Sequence, residues 1–278
     1  MRIIDFRSRP NTREYLACLN SPVAQEVIRK LGSPQPQPAT LEEWVVNFER
    51  EGVERVVFTG RQSEGTETFD VSNDYVADVA NQFRGKVIGF AGINPLLGMR
   101  SVRAVEHAIK ELGLKGISID PFGGPVEPND RRLYPVYAKC AELNVPVVIT
   151  CGPLPFAGPR LRHGDVRCVD DVAADFPELT IIIDHSGWPW VTETIAIAFR
   201  HDNVYIDTSL YSHLPGAVHF AEAANTIIPD RIMFASCFPI VPVRTAIERV
   251  RALPFTDEAL DRVLYANANA LLQKFGCI

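Results

Sequence analysis

The stretch Phe176-Pro177-Glu178-Leu179-Thr180-Ile181-Ile182-Ile183-Asp184-His185-Ser186-Gly187 contains a short apolar run followed at once by two titratable side chains. A short β-branched run bounded by turn residues is typical of a strand that is buried on both faces. Strands of this kind occur in parallel sheets covered by helices, where side chains at the carboxyl ends of the strands collect at one edge. The stretch therefore predicts a buried parallel strand with Asp184 and His185 at a candidate site.

Seven other short apolar runs alternate with longer segments of helical periodicity. Eight strand-then-helix units over about 250 residues predict one (β/α)8 (TIM) barrel spanning residues 1–278, of the α/β class, with an extra C-terminal helix. The alternative is an open doubly wound sheet, which would need a glycine-rich phosphate turn that is not found in the sequence. The predicted strands are 2–5, 55–58, 87–91, 116–119, 145–150, 180–184, 204–206 and 231–234.

The first predicted helix after the first strand begins at Thr40-Leu41-Glu42-Glu43, which has the pattern of a capping box. Before it lies an aperiodic stretch, residues 7–39, which ends in a proline-rich segment. An extended loop after the first strand lies on the catalytic face of a barrel, so we expect a lid or pocket wall; a plain surface excursion is the alternative. The later helices are predicted at 71–83, 100–112, 132–143, 166–176, 191–200, 217–226, 242–252, 256–264 and 267–275.

The composition narrows the functional classes. The chain has 278 residues, of which 46% are hydrophobic, and its formal net charge is -6. A nucleic-acid partner is not expected, because such proteins usually carry a basic excess. No apolar run approaches the roughly 18 residues that span a bilayer, and no leader precedes the first strand, so we expect no membrane association. Six scattered cysteines without a C-x-x-C motif favour a reduced, cytoplasmic protein.

Several segments, in this order and spacing, resemble the amidohydrolase-2 branch of the amidohydrolase superfamily. That branch includes aminocarboxymuconate-semialdehyde decarboxylase, other aromatic-acid decarboxylases and pyrone-dicarboxylate lactonase. The resemblance implies a TIM barrel, a divalent metal such as zinc and, as is usual for relatives, a homodimer. The segments that carry it are Leu114-Lys115-Gly116-Ile117, residues 144–149, residues 176–187, Asn203-Val204-Tyr205-Ile206-Asp207-Thr208-Ser209, residues 231–239 and Tyr265-Ala266-Asn267-Ala268.

The residues that this family uses to hold its metal are mostly replaced. The family has His-x-His after the first strand, where this chain has Arg7 and Arg9. A histidine after the fifth strand is replaced by Thr150 and an aspartate after the eighth by Cys237, and His185 alone matches. Arginine has no lone pair to donate, so we expect no metal cofactor. The alternative is a rearranged metal site that uses His185, Cys237 and a carboxylate, either Asp5 or Asp184.

The arginines suggest a substitute for the metal charge. Arg7 and Arg9 would bind a carboxylate and stabilise developing negative charge, unless they only form internal ion pairs. His185 would act as general acid or base, with Asp207 orienting it or binding substrate. A structural role is the alternative for both. Cys237 as a nucleophile paired with His185 is a further alternative, as is Cys151, although buried thiols are mostly inert.

The remaining candidates are substrate-binding residues at strand ends and in the loop over residues 152–163. Each could equally be a solvated or packing residue. A small anionic molecule is the expected partner. The candidates are Arg61, Thr150, Arg160, Arg162, His163, Trp188 and Cys237.

Three functions are compatible with these residues. The first is a metal-independent, lactonase-like hydrolase that acts on a small carboxylated lactone or ring compound. The second is an inactive barrel that binds an anionic metabolite. The third is a reaction that needs a metal, either hydrolysis with an unusual ligand set or the decarboxylation known in the family.

Overall fold

The computed structural model describes residues 2–64, 69–121, 125–153 and 160–278. Eight parallel strands follow one another in the sheet in the order of the sequence, β1 to β8, which confirms the predicted TIM barrel. Every strand coincides with one of the eight predicted apolar runs. The strands are β1 Ile3–Ser8, β2 Val53–Thr59, β3 Val87–Ile93, β4 Gly116–Ile119, β5 Val147–Thr150, β6 Ile181–Asp184, β7 Val204–Asp207 and β8 Ile232–Met233.

Backbone hydrogen bonds between the segments around β8 and β1 bring the ends of the sheet together. The Phe6 amide donates to the Phe234 carbonyl at 2.9 Å, and the Arg9 amide to the Phe238 carbonyl at 2.9 Å. Between them, the Cys237 amide donates to the Arg7 carbonyl at 3.0 Å. The first and last strand ends are thus fixed against each other, and Arg7, Arg9 and Cys237 share one side of the barrel mouth.

Helices follow the strands as predicted, and the capping box at Thr40 is present, with both of its hydrogen bonds formed. The stretch predicted as a long insert contains two short helices, whose first turns are capped by Thr12 and Ser21. The helices are α1 Arg13–Cys18, α2 Pro22–Lys30, α3 Leu41–Arg50, α4 Asn73–Gln82, α5 Met99–Lys110, α6 Tyr134–Glu142, α7 Arg167–Asp175, α8 Val191–Arg200, α9 Val218–Thr226, α10 Val243–Arg251, α11 Asp257–Asp261 and α12 Asn267–Lys274.

Alternation along the strands divides the apolar residues between two clusters. On β1, Ile3 belongs to the cluster shared with the helices, whereas Ile4 and Phe6 belong to a second cluster. That second cluster also takes in Leu271 and Leu272 of α12. The extra C-terminal helix predicted from the sequence therefore completes this core. Across the described residues, no helix is both long and apolar enough to cross a membrane. All six cysteines are free.

Asp5 is a buried carboxyl group at the closure between β1 and β8. It accepts hydrogen bonds from the backbone amides of Ser236, at 2.8 Å, and Arg7, at 3.2 Å, and from the Ser236 hydroxyl. Burial raises the pKa of Asp5 from 3.8 to about 7, and the hydrogen bonds offset only part of this effect. The protonated form of Asp5 is therefore favoured by folding.

This shift predicts a pH dependence of stability. Between the unfolded pKa of 3.8 and the folded pKa of about 7, the folded chain holds a proton that the unfolded chain releases. The contribution of Asp5 to the free energy of unfolding is therefore complete below this window and falls as pH rises through it. Asp5→Asn keeps the shape and one acceptor oxygen but cannot titrate, so we expect a smaller decrease across the window in urea denaturation.

The exposed Asp78 on α4 provides the control for this experiment. Asp78→Asn should retain the decrease of the wild-type protein. Equal decreases in the wild type and Asp5→Asn would contradict the assignment of the effect to Asp5.

Candidate functional site

The side chains predicted from the strand ends meet at the mouth of the barrel, and an unpredicted carboxylate, Asp120 after β4, links several of them. The Arg7 guanidinium is 1% exposed, and its Nη1 atom lies 2.5 Å from Asp184 Oδ2. Its Nη2 atom lies 3.8 Å from Asp120 Oδ1. The Thr150 hydroxyl lies 2.5 Å from Asp120 Oδ1 and 3.1 Å from Asp184 Oδ2, so it connects the same two carboxylates.

Arg7 is held by charge rather than by aligned hydrogen bonds. Within the described residues, its three guanidinium nitrogens have no acceptor in hydrogen-bonding geometry, although Asp184 is close. Burial alone would lower the pKa of Arg7, but the charges of Asp184 and Asp120 outweigh it and raise the pKa. Arg7 is thus a permanent cation among internal carboxylates.

Arg61 and Arg9 complete a cluster of three guanidinium groups. Arg61 forms a buried ion pair with Asp120. Arg9 donates from Nε to the Thr59 carbonyl at 2.9 Å and is 3% exposed. Both guanidinium groups lie near the ring of Phe69, Arg61 at 4.7 Å and Arg9 at 5.9 Å from its centroid.

The charges of this cluster keep Asp120 ionised. Burial would raise the pKa of Asp120, but the charges of Arg61, Arg7 and Arg9 outweigh this effect and lower the pKa. Asp120 therefore carries a negative charge that is shared mainly between Arg61 and Arg7.

The His185 ring is anchored by Ser209, for which the sequence predicted no role. His185 Nδ1 lies 2.8 Å from Ser209 Oγ, and this oxygen is also 2.7 Å from Asp184 Oδ1 and 2.6 Å from Asp207 Oδ1. Asp207 Oδ1 also accepts from the backbone amides of His185, at 3.2 Å, and Ser209, at 2.9 Å. Asp207 therefore positions His185 through Ser209 and the backbone, and has no direct hydrogen bond to the ring.

Ser209 Oγ also accepts from the His185 backbone amide at 3.1 Å. A serine hydroxyl donates one hydrogen and accepts two, so only one further hydrogen can point toward this oxygen. Asp184 faces Arg7 and is ionised: burial raises its pKa, but the Arg7 charge outweighs this and lowers it. Burial and the Asp184 charge both raise the pKa of Asp207. Ser209 therefore donates to the ionised Asp184, and its second acceptor position faces His185 Nδ1. A hydrogen on Nδ1 fills that position and leaves Nε2 with a free lone pair.

The surroundings of His185 keep its ring neutral. Burial lowers the pKa of His185 to about 4, with the Asp184 charge opposing and the Arg7 charge adding to the decrease. The Tyr211 ring packs edge-on at 5.7 Å from the imidazole, and Trp188 lies 5.3 Å beyond Tyr211. Trp188 and Tyr211 thus form an aromatic wall next to His185.

The cysteines lack the properties of nucleophiles. Burial raises the pKa of Cys237 to about 11 although the Arg7 charge opposes it. Burial also raises the pKa of Cys151 well above its usual value. Both thiols therefore favour the protonated form near neutral pH, whereas the thiolate is the reactive form. Cys237 nevertheless has a positive φ of 61°, and His185 has one of 58°, so strained backbone occurs at both strand ends.

The loop after β5 contributes least among the described candidates. Arg160 is exposed, and Arg162 forms a surface ion pair of 3.4 Å with Glu127. His163 is 6% exposed, and its Nδ1 atom lacks a hydrogen-bond partner within the described ranges. Residues 154–159 of the predicted loop lie outside the described residues. The expected rim of Arg160 and Arg162 is therefore not part of the arginine cluster.

Comparison with known proteins identifies the family of this chain. Residues 32–274 match the model of the amidohydrolase-2 family, whose description is Amidohydrolase. The chain belongs to this amidohydrolase family. An uncharacterised TIM-barrel protein from Bordetella bronchiseptica is 32% identical in sequence. Its superposition has a TM-score of 0.89 and covers 99% of this chain and 100% of the other.

Two further proteins that this chain resembles have named activities. A 2-keto-4-carboxy-3-hexenedioate hydratase from Sphingobium sp. is 29% identical over 208 residues, which cover 64% of this chain and 60% of the hydratase. The matched region thus spans less than two thirds of that relative. A manganese-bound dihydroxybenzoic acid decarboxylase from Polaromonas sp. shares the fold, with 17% identity, a TM-score of 0.67 and coverage of 98% of this chain and 97% of the other.

The donor set does not fit a divalent metal of the kind the family implies. Within the described part of the chain, no group of three or more histidine, cysteine or acidic side chains is placed to hold an ion. The carboxylates at the centre instead face the Arg7 guanidinium, whose charge would repel a cation. The alternative site of His185, Cys237 and Asp5 or Asp184 is not assembled either, because Asp5 bonds to Ser236 and Asp184 to Arg7.

Besides Ser209, the sequence did not identify Asp120 or the buried Tyr15 as candidate site residues. Asp120 directly follows an apolar strand, as Asp184 and Asp207 end theirs, so the same signal was available for it. Tyr15 lies in the segment interpreted as an insert, and no local pattern links it to the barrel mouth.

The buried Arg7 pair predicts a large effect of its removal. Arg7→Met would leave Asp184 without its ion-pair partner and Asp120 with Arg61 alone, so the loss in unfolding free energy should be about 3–5 kcal/mol. Chemical denaturation at neutral pH measures this loss. The control is Arg244→Met, which breaks an ion pair of 2.7 Å between Arg244 and Glu51 at the surface. Such an exposed pair contributes little to stability because solvent screens its charges, and equal losses in the two variants would contradict the structural role of Arg7.

Proposed function

We propose that the chain is a metal-independent enzyme that adds water to a small carboxylated substrate, with lactone hydrolysis as the leading reaction. The observation that carries this proposal is the neutral His185 ring, which is anchored through Nδ1 and lies among guanidinium groups. A neutral imidazole with a free Nε2 can accept a proton from water. No residue in the described ranges forms a hydrogen bond with Nε2.

Hydrolysis would proceed by proton transfer through this ring. His185 Nε2 takes a proton from water as the water oxygen bonds to the lactone carbonyl carbon. The carbonyl oxygen becomes an oxyanion, which the fixed positive charge of the arginine cluster stabilises. The tetrahedral intermediate then collapses, the bond from the carbonyl carbon to the ring oxygen breaks, and the imidazolium returns its proton to that oxygen. Asp184 stabilises the transient imidazolium from 3.4 Å away.

The arginines have unequal parts in this proposal. Arg7 and Arg61 already neutralise internal carboxylates, whereas Arg9 has no carboxylate within ion-pair distance among the described residues. Arg9 is therefore the cation best able to hold an anionic substrate, while Arg7 acts mainly through its field. Pairing of Arg7 with Asp184 is what an inactive binding protein would also require, so turnover must be measured directly.

Hydration of a carbon–carbon double bond is the second candidate, and the similarity to the Sphingobium hydratase favours it. The same base would deprotonate water as its oxygen bonds to the β carbon of an unsaturated keto acid, and the arginine cluster would stabilise the enolate that forms. The imidazolium would then give its proton to the α carbon, which completes the addition of water. Decarboxylation has weaker support, since the similarity to the Polaromonas decarboxylase shows the fold alone. A screen of carboxylated lactones and unsaturated keto acids distinguishes these reactions.

His185→Gln should abolish most turnover of whichever substrate is found. General base catalysis contributes about 10²–10⁴-fold, so kcat should fall within this range. His219→Gln, at an exposed position on α9, is the control and should remain active. The pKa of about 4 predicts that wild-type kcat/KM decreases only when pH falls toward 4, where His185 becomes protonated. Undiminished turnover in His185→Gln would remove this residue from the mechanism.

Metal independence has its own test. Protein purified without chelators should contain much less than one equivalent of zinc or manganese by elemental analysis, and dialysis against a chelator should leave kcat unchanged. Arg7 lies among the carboxylates that would have to bind the ion, which is the physical reason for this expectation. One equivalent of metal whose removal abolishes turnover would contradict the proposal.

A further inference from the structure

Arg9 is buried without the partners that its charge demands. Its Nε atom donates to a backbone carbonyl, and its Nη2 atom has no acceptor among the described residues. A buried guanidinium normally pairs with a carboxylate or fills its hydrogen bonds, because an unmade bond costs the desolvation of the donor. Arg9 therefore retains unused donor capacity inside the protein.

Tyr15 supplies a second unused donor beside Arg9. Its side chain comes from α1 and is 3% exposed, and its O–H donates to no acceptor in the described part of the chain. The Tyr15 and Phe69 rings pack edge-on with 6.0 Å between centroids, and the Arg9 guanidinium lies 5.9 Å from the Phe69 centroid. Burial raises the pKa of Tyr15, and Arg9 opposes this increase by its charge and by hydrogen bonding toward the phenol oxygen. A bond from Arg9 uses that oxygen as an acceptor, so the O–H of Tyr15 remains an unused donor.

The charges of the cluster indicate which ligand is missing. Three guanidinium groups face two ionised carboxylates, Asp120 and Asp184, and Asp207 has no ion-pair contact with any of the three. Burial and the Asp184 charge both raise the pKa of Asp207, which disfavours a third negative charge. The three cations and two anions thus leave an excess of one positive charge. A single carboxylate would balance that charge and would also accept hydrogen bonds from both unused donors.

We propose that the Arg9 Nη2 atom and the Tyr15 hydroxyl form the subsite that binds one carboxylate of the substrate. The inference rests on the proposed function, in which His185 performs the chemistry, and it adds the group that selects a carboxylated substrate. Tyr15 is a specificity-determining residue of this subsite. The free protein leaves both donors unpaired, so the subsite is organised for the ligand rather than for stability.

Tyr15→Phe tests the subsite because two properties should change in opposite ways. Removing an unpartnered buried hydroxyl should leave the Tm of the free protein unchanged or higher. The same change should weaken binding of a carboxylate by about tenfold, since a hydrogen bond to a charged group is lost. Isothermal titration calorimetry with benzoate and glutaconate measures this binding, and benzamide is the neutral counterpart of benzoate. Arg9→Lys, which keeps the charge but loses the planar fork, should also weaken binding.

Tyr75→Phe is the matched control, because the Tyr75 hydroxyl already has a partner, the Thr12 hydroxyl at 3.2 Å. It should bind both carboxylates as the wild type does. The subsite is overturned if wild type and Tyr15→Phe bind equally, if benzamide binds as well as benzoate, if neither carboxylate binds at millimolar concentration, or if Tyr15→Phe unfolds.

These measurements are independent of turnover. Carboxylate binding that depends on Tyr15, together with no turnover in the substrate screen, would support the subsite and refute the proposed function. Turnover that depends on His185 but not on Tyr15 would do the reverse.

Discussion

The ion pair between Arg7 and Asp184 is the constraint on which the site depends. It joins the end of β1 to the end of β6, and Thr150 and Asp120 connect to it from the ends of β5 and β4. In a buried environment, removing either charge would leave the other uncompensated. Arg7 therefore places a permanent positive charge at the mouth of the barrel as a fixed side chain.

The barrel could be predicted because its signals are local and repeated. Each strand is a short apolar run buried on both faces, and Thr40 with Glu43 provides a capping box that the structure retains. The helix α1 was missed because it has only six residues, and α2 because it is followed by a proline-rich segment that obscures helical periodicity. Their stability comes from capping by Thr12 and Ser21 and from packing that a local pattern does not reveal.

The site could be predicted in its members but not in its connections. Strand-end positions identified Arg7, Arg9, His185 and Asp207, since parallel strands bring their carboxyl ends to one edge. Sequence position does not indicate which carboxylate faces which arginine. Two arginines that were expected to act alike differ for this reason: Arg7 meets Asp184, whereas Arg9 meets a backbone carbonyl. Backbone strain at His185 and Cys237 is equally hidden, because any L-residue can be forced to a positive φ by its surroundings.

The influence of Arg7 extends to a ring that it does not bind. Asp184 and Asp207 both lie next to Ser209 Oγ, and two carboxylates so close in a buried site favour sharing one proton. Arg7 stabilises the charge on Asp184, so the proton remains on Asp207. Ser209 then donates to Asp184 and accepts from the His185 backbone amide and from His185 Nδ1, which leaves the lone pair on Nε2. Arg7 thus influences, through one hydroxyl, which nitrogen of His185 can act as the base.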